Sequence, residues 1–382
     1  MTTHGETPAP PPSAPLAEGR FAPLATTYLN TASTGVLPLA AAEALAETAR
    51  DAARGRAAPE HGLAAVAEVR EAFARLVGVP AERVAVGNGV AVYAGLLAGS
   101  LPDGAEVLVA EGDFSALITP FAVRPGLKLR SAPLERLAGQ VGPQTAVVAV
   151  SAAQSADGRV ADLAALRAAV DAQAEGGRRP ARIVVDGTQA LGWLTVDPAH
   201  YDFLLCSAYK WLLCPHGVSL MVVSGDAGSG VVPRNASWVA GEEPWNSTYG
   251  PVEQFARSAR RFDERPAFLA HLAARHSLAL LEEIGTERVA AHDLALAAAF
   301  RRGAEELGLR PVPARAPIVS VPGLAEAADA LREAGIDAAV RAGSLRASFH
   351  LYNTAADVDR VLEVLAELTA RGGGRPLTDP AG

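Results

Sequence analysis

Between residues 38 and 284 short apolar runs alternate with amphipathic stretches, and that alternation leaves the chain few architectures. The runs are "EVLVAE" at 106–111, "TAVVAVS" at 145–151, "RIVVD" at 182–186, "DFLLCS" at 202–207 and "GVSLMVV" at 217–223. Each is nearly all apolar rather than alternating, as in strands buried on both faces. Residues 38–54, 62–77 and 161–175 are rich in Ala, Leu, Glu and Arg and read as helices. Buried strands separated by helices predict an α/β fold: a three-layer sandwich around a mostly parallel sheet.

A chain of 382 residues accommodates a large domain and a smaller one. Residues 266–307 read as long helical segments broken at Gly285. "APIVSVPG", a helix at 324–334, "SLRASFHLYN" and a last helix from 355 then suggest a small C-terminal α+β domain. That last helix has a start signal, with Thr354 as N-cap and Asp357 three residues on. The expected division is therefore a large domain at 38–284 and a small one at 285–371. Residues 20–37 are expected to pack with the small domain. The Pro-, Ala- and Ser-rich 1–19 reads as a disordered leader and the Gly/Pro-rich 372–382 as a tail. The leader lacks the charged start and apolar core of a signal peptide. No apolar run approaches the roughly 20 residues of a membrane span.

The formal charge is −8 with no basic block, which argues against nucleic acid as a partner. The two cysteines, Cys206 and Cys214, have no His or Cys at metal-ligand spacing. They read as buried thiols in a reducing cytoplasm, and no metal site is expected.

Of the 34 basic residues all but Lys128 and Lys210 are arginine. A lysine kept in so arginine-rich a chain suggests chemistry that a guanidinium cannot perform, because an amine can lose its proton and attack a carbonyl. Lys210 follows "DFLLC", and Asp186 closes "RIVVD". In parallel sheets ligands bind beyond the carboxyl ends of the strands. Taken singly, an Asp there is more often a turn residue or cap, and a Lys more often solvated. Together they match what pyridoxal phosphate requires: a lysine for the Schiff base and a carboxylate to keep the pyridine nitrogen protonated.

"VVDGTQALGWLTVDPAHYDFLLCSAYKWLLCPHGVSLMVV" resembles the core signature of the class V aminotransferases, which are fold-type I pyridoxal phosphate enzymes with an aspartate aminotransferase-like fold. "YLNTASTGVLP", "VSAAQSADGRVADL", "RRFDERPAF" and "LRASFHLYNTAADVDRVL" match in order and spacing over residues 28–365. The resemblance implies pyridoxal 5'-phosphate as cofactor, and a homodimer with active sites at its interface. It implies Lys210 as the Schiff-base lysine, Asp186 as the pyridinium partner, and Gln189 and Gln154 near the ring hydroxyl. Ser207 and Tyr209, the latter where the family often has His, would bind phosphate. Arg346 would clamp the substrate carboxylate with a two-point fork, and Asn30 would line the substrate side. The chain departs from the pattern in three places. Gly87, Asn88 and Gly89 stand where the first phosphate loop usually carries threonines; backbone amides at a helix start can do that work. Phe114 replaces the ring-stacking His. Arg265 takes the place of a Thr that reaches the partner subunit's phosphate. The loop before Arg346 also lacks the nucleophilic Cys of the desulfurases, which argues against persulfide chemistry.

These expectations lead to an enzyme acting on an amino acid or amine, with transamination first, Cβ–S or C–Se lysis second and epimerisation third. An inactive relative with a regulatory or assembly role is a reading of another class. A nicotinamide-dependent enzyme is disfavoured, because "GNG" lacks the third glycine of the dinucleotide fingerprint.

Overall fold

The computed structural model describes residues 10–56, 59–173 and 180–371. They fall into two compact units. One comprises residues 37–154 and 161–283; the other comprises residues up to 36, the short stretch 155–160, and everything from 284 onward.

The larger unit is built on seven strands: β1 (Val84–Gly87), β2 (Glu106–Ala110), β3 (Lys128–Ala132), β4 (Thr145–Ser151), β5 (Arg182–Asp186), β6 (Phe203–Ser207) and β7 (Ser219–Val223). Their order in the sheet is β1-β7-β6-β5-β4-β2-β3. Strand β7 runs antiparallel to both neighbours, and the other strands are parallel to one another. Helices α1 (Leu39–Ala53), α2 (Pro59–Val77), α3 (Val90–Gly99), α4 (Ser115–Ala122), α5 (Leu163–Gln173) and α6 (Phe268–Ile284) complete the unit. Val107, Val109, Val147, Ala149, Val184, Phe203, Leu205 and Met221 line one sheet face and pack on α3 and α4 through Leu97, Leu117 and Phe121. The residues between them, such as Leu108, Val148, Val150, Ile183, Val185 and Leu204, are also buried, so both faces are covered. This is the physical basis of the unbroken apolar runs, and the chain has the expected α/β fold with a mostly parallel central sheet.

The two edges differ from the interior. At β3 the exposed Lys128 and half-exposed Arg130 keep the edge charged, which discourages pairing with another chain. At the opposite edge β1 is covered by the segment around Asp263. The Val86 amide donates to Asp263 Oδ1 at 2.8 Å, and the Glu264 amide donates to the Val86 carbonyl. Asp263, 2 % exposed, is paired with the Arg70 guanidinium at 2.6 Å.

The smaller unit carries α7 (Thr286–Glu306), β8 (Ile318–Pro322), α8 (Ala327–Glu333), β9 (Ala339–Arg341), β10 (Ser344–Ser348) and α9 (Ala355–Arg371). The three strands form an antiparallel sheet in the order β9-β10-β8. Leu296, Phe300, Val319, Leu345, Phe349, Val361 and Leu365 form its core, which also takes in Leu29 from the N-terminal segment. Thr27 and Tyr28 pair in parallel with Ile336 and Asp337. Gly285 precedes α7 with a φ of 88°, where a side chain would be strained. At the start of α9 the Thr354 amide and hydroxyl both donate to Asp357 Oδ2. Of the residues read as a leader, 1–9 lie outside the described residues. Residues 10–19 include hydrogen-bonded positions: the Leu16 amide donates to the Leu351 carbonyl, and Pro12 accepts from the Ala355 amide. The tail at 372–382 lies outside the described residues.

Candidate active site

Asp186 and Lys210 stand at the carboxyl ends of adjacent parallel strands, β5 and β6, with Asp186 in register with Leu205. Both are 4 % exposed. Burial pushes the Asp186 carboxyl up to about 6, and the nearby Asp113 charge adds to the effect. Hydrogen bonds from Thr188 and the Lys210 charge pull the other way. The Thr188 amide donates to Asp186 Oδ1 at 2.9 Å.

Lys210 sits on a tight turn between β6 and β7. The Ala208 amide bonds the Val218 carbonyl, the Cys214 amide bonds the Ala208 carbonyl, and the Leu213 amide bonds the Lys210 carbonyl. Leu213 adopts a φ of 55°, a left-handed conformation costly for a branched residue. The Ser277 hydroxyl holds it there by donating to the Leu213 carbonyl at 2.7 Å. Lys210 Nζ lies 5.1 Å from the Phe114 ring centroid and 5.6 Å from that of Tyr209. Phe114 is 43 % exposed, so it is no core residue. Tyr209 stacks on His216 at 4.0 Å.

A second cluster surrounds the start of α3. The Val90 amide donates to Ser207 Oγ at 3.3 Å, and Ser207 Oγ lies 2.9 Å from Ser219 Oγ. A Cβ at Gly87 would come within 2.8 Å of the Tyr93 hydroxyl and 2.9 Å of Glu264 Oε2, so only glycine fits. Gly89 is extended, with open space where a side chain would lie. Asn88 faces elsewhere: its amide and side-chain nitrogen both donate to Glu264 Oε2, at 2.9 and 3.2 Å. The Tyr93 hydroxyl is buried without a partner beside this loop. The backbone amides of a helix start, two serine hydroxyls and an unpaired phenol suit a phosphate. Arg265 is exposed. The neighbouring acids are engaged elsewhere, Asp263 with Arg70 and Glu264 with Asn88.

Gln154 and Gln189 follow the ends of β4 and β5. Gln154 donates to Asp113, and Gln189 Oε1 accepts from the Trp211 indole at 2.8 Å. Among the described residues no group of three His, Cys, Asp or Glu could hold a metal ion.

In the smaller unit Arg346 is 1 % exposed yet has no acidic partner among the described residues. Its guanidinium donates to the Ser155 carbonyl at 2.7 Å and hydroxyl at 3.1 Å, and to the Ser33 hydroxyl at 2.7 Å. Its Nε is buried without a partner. Burial depresses the guanidinium to about 10, with the Arg341 charge contributing. Asn30 Nδ2 donates to Asp337 at 3.1 Å, and its Oδ1 is buried without a partner. The sequence reading passed over Asp113, Ser33, Ser155, Trp211, Tyr93 and Glu264. Of these, only Asp113 had a signal, its place beside Phe114 just after a strand.

The model of the family described as aminotransferase class-V matches residues 27–361. The chain belongs to that family. It is 29 % identical over 394 residues to isopenicillin N epimerase of Amycolatopsis lactamdurans, covering 90 % of this chain and 96 % of the relative. It is 26 % identical to YcbU, an uncharacterized aminotransferase of Bacillus subtilis, over 78 % of this chain and 83 % of that one. A cystine C–S lyase, C-DES, solved with its product cysteine persulfide, shares the fold with a TM-score of 0.80 at 23 % identity, covering 90 % of this chain and 97 % of that one. As a class-V family member, the protein is a pyridoxal 5'-phosphate enzyme. Among the described residues, no helix is long and apolar enough to cross a membrane.

Proposed function

We propose that the protein is an aminotransferase acting on an α-amino acid through Lys210. What carries this reading is the burial of Lys210 and Asp186 together at the ends of neighbouring strands. When bound, pyridoxal phosphate supplies an electron sink for the substrate's Cα. The Lys210 amine would hold the cofactor aldehyde and, once the substrate amine takes its place there, would be free to move the Cα proton as a base. The Asp186 carboxylate holds the proton of the ring nitrogen. Burial holds the Asp186 carboxyl up, as suits a position built for a cationic partner. Phe114 covers one ring face. The α3 amides of Gly89 and Val90, with Ser207 and Tyr209, hold the phosphate. Gln189 and Gln154 address the ring hydroxyl, and Asn30 lines the substrate side. Arg346 supplies a desolvated guanidinium for a carboxylate, which favours an amino acid over a simple amine.

The protein works as a homodimer, with Arg265 completing the partner's phosphate site; its exposure and its lack of an ion pair to Asp263 or Glu264 support this. Two free buried thiols fit a reducing cytoplasm. Neither is a persulfide carrier, since burial raises the pKa of both. Epimerisation is the second reading, favoured by the likeness to isopenicillin N epimerase over 90 % of this chain. The test is borohydride fixation at Lys210, followed by an amino-acid panel read for keto acid, inversion at Cα and sulfide. Keto acid in step with amino-acceptor consumption supports transamination. Inversion without keto acid replaces it with epimerisation, and sulfide release replaces it with lysis.

A further inference from the structure

Asp113 lies in the turn after β2 and is 9 % exposed. Its carboxylate takes four donors. Oδ1 accepts from the Phe114 amide at 2.6 Å and from the Ser151 hydroxyl. Oδ2 accepts from the Ser151 amide at 2.8 Å and from Gln154 Nε2 at 3.2 Å. No basic side chain pairs with it among the described residues. A buried charge without a counter-ion is costly, and an acid retained on hydrogen bonds alone is there for its acceptor capacity. An amide in its place could accept at one end only.

The consequence falls on Gln154. Its Nε2 donates to Asp113 and, at 3.4 Å, to the Ser151 carbonyl. Both hydrogens are thus spent, and Oε1 is the end left for a ligand. Gln189 is held the other way. An indole nitrogen can only donate, so the Trp211 contact holds Gln189 by its Oε1. The two amides hold matching places. Ser151 and Asp186 are register partners on β4 and β5, and each glutamine stands three residues beyond its strand end.

We infer that Asp113 is a positioning residue that makes Gln154 a hydrogen-bond acceptor at the phenolic oxygen of the cofactor. This rests on the pyridoxal phosphate reading of the site. A phenolic hydroxyl there can donate to Gln154 Oε1. A phenolate there would face the Gln154 oxygen, acceptor against acceptor. Asp113 therefore biases the ring toward its neutral hydroxyl form, and it fixes the backbone of Phe114 by the same carboxylate.

The test reads the absorption bands of the loaded protein, whose neutral-hydroxyl and phenolate forms absorb at different wavelengths. Asp113→Asn sets an amide donor against Ser151 N and Gln154 Nε2. Gln154 relieves the clash by rotating its amide, which turns its donor to the phenolic oxygen. The band ratio should then move toward the longer-wavelength phenolate form by about tenfold, the scale of one hydrogen bond to a charged group. Gln154→Met leaves the charge at position 113 in place and should move the ratio the same way by a smaller factor; it also keeps the test alive should Asp113→Asn fail to fold. Asp113→Asn combined with Gln154→Glu restores an acceptor and should return the wild-type ratio, a rescue that a purely structural role would not give. An unchanged ratio in both single variants, in protein that borohydride still fixes at Lys210, overturns the role of Asp113. A wild-type protein with no such chromophore instead overturns the cofactor reading beneath it.

Discussion

Replacing Asp186 by asparagine in the cofactor-free protein should stabilise it while removing what the site is for. Between the ordinary value of 3.8 and about 6, the gap in the carboxyl's ionisation is worth about 3 kcal/mol at about 1.36 kcal/mol per pH unit. Asp186 is 4 % exposed, so solvent screening takes little from that figure. The folded value lies above the unfolded one, so the native state binds the proton more tightly. The stabilisation from this group is fully present below 3.8 and is lost as pH rises through about 6. Asparagine cannot ionise and escapes the loss. Urea denaturation of both apoproteins at pH 4 and pH 8 gives the variant-minus-wild-type difference at each pH. That difference should be larger at pH 8 by about 2 kcal/mol, less than the full gap because pH 4 already lies just above the unfolded value. With cofactor added the order should reverse, since a protonated ring nitrogen gives the carboxylate a counter-charge that an amide cannot use. A difference independent of pH, or larger at pH 4, would refute the reasoning.

Lys210→Arg and Lys210→Ala should both lose borohydride fixation, because a guanidinium supplies no neutral amine; peptide mapping that finds the reduced adduct on Lys128 instead would contradict the role. Arg346→Ala should raise the KM for amino acids about 10- to 100-fold, the scale of one hydrogen bond to a charged group, with little effect on amines that lack a carboxylate; steady-state kinetics on matched pairs separates the two. Arg265→Ala should weaken cofactor retention by about 1–3 kcal/mol and lower dimer stability only with cofactor bound; equilibrium dialysis and analytical ultracentrifugation would reveal an unaltered affinity or dimer.

The interior strands were legible because burial on both faces turns them into unbroken apolar runs. The edge strand β3, "KLRSA", was not, because an unpaired edge is kept charged, and β1, "VAVG", is too short to register. Asp186 and Lys210 could be read because position at a strand end is a local property. The orientation of the glutamines could not, since it is set by Asp113 and Trp211, 41 and 22 residues away. The Arg346 environment is less local still, with Ser155 and Ser33 at separations of 191 and 313. The "GNG" loop shows where local reading went only part of the way. Its helix start and tight glycine are evident, but the carboxylate that engages Asn88 comes from 176 residues downstream.

Cys206 and Cys214 bracket the turn that carries Lys210, and they are 1 % and 2 % exposed. Thiol reagents need a thiolate and a path to it, and burial denies both. Any alkylation of the native protein must therefore wait for the lysine turn to open. The chain thus carries its own clock for that motion. When opening is rapid and reversible, the labelling rate divided by that of an exposed thiol gives the free energy of local opening at the Lys210 turn. A cofactor that binds only the closed form should slow the clock by its saturation factor. Loading of the site could then be followed by mass alone, without substrate and without reference to colour.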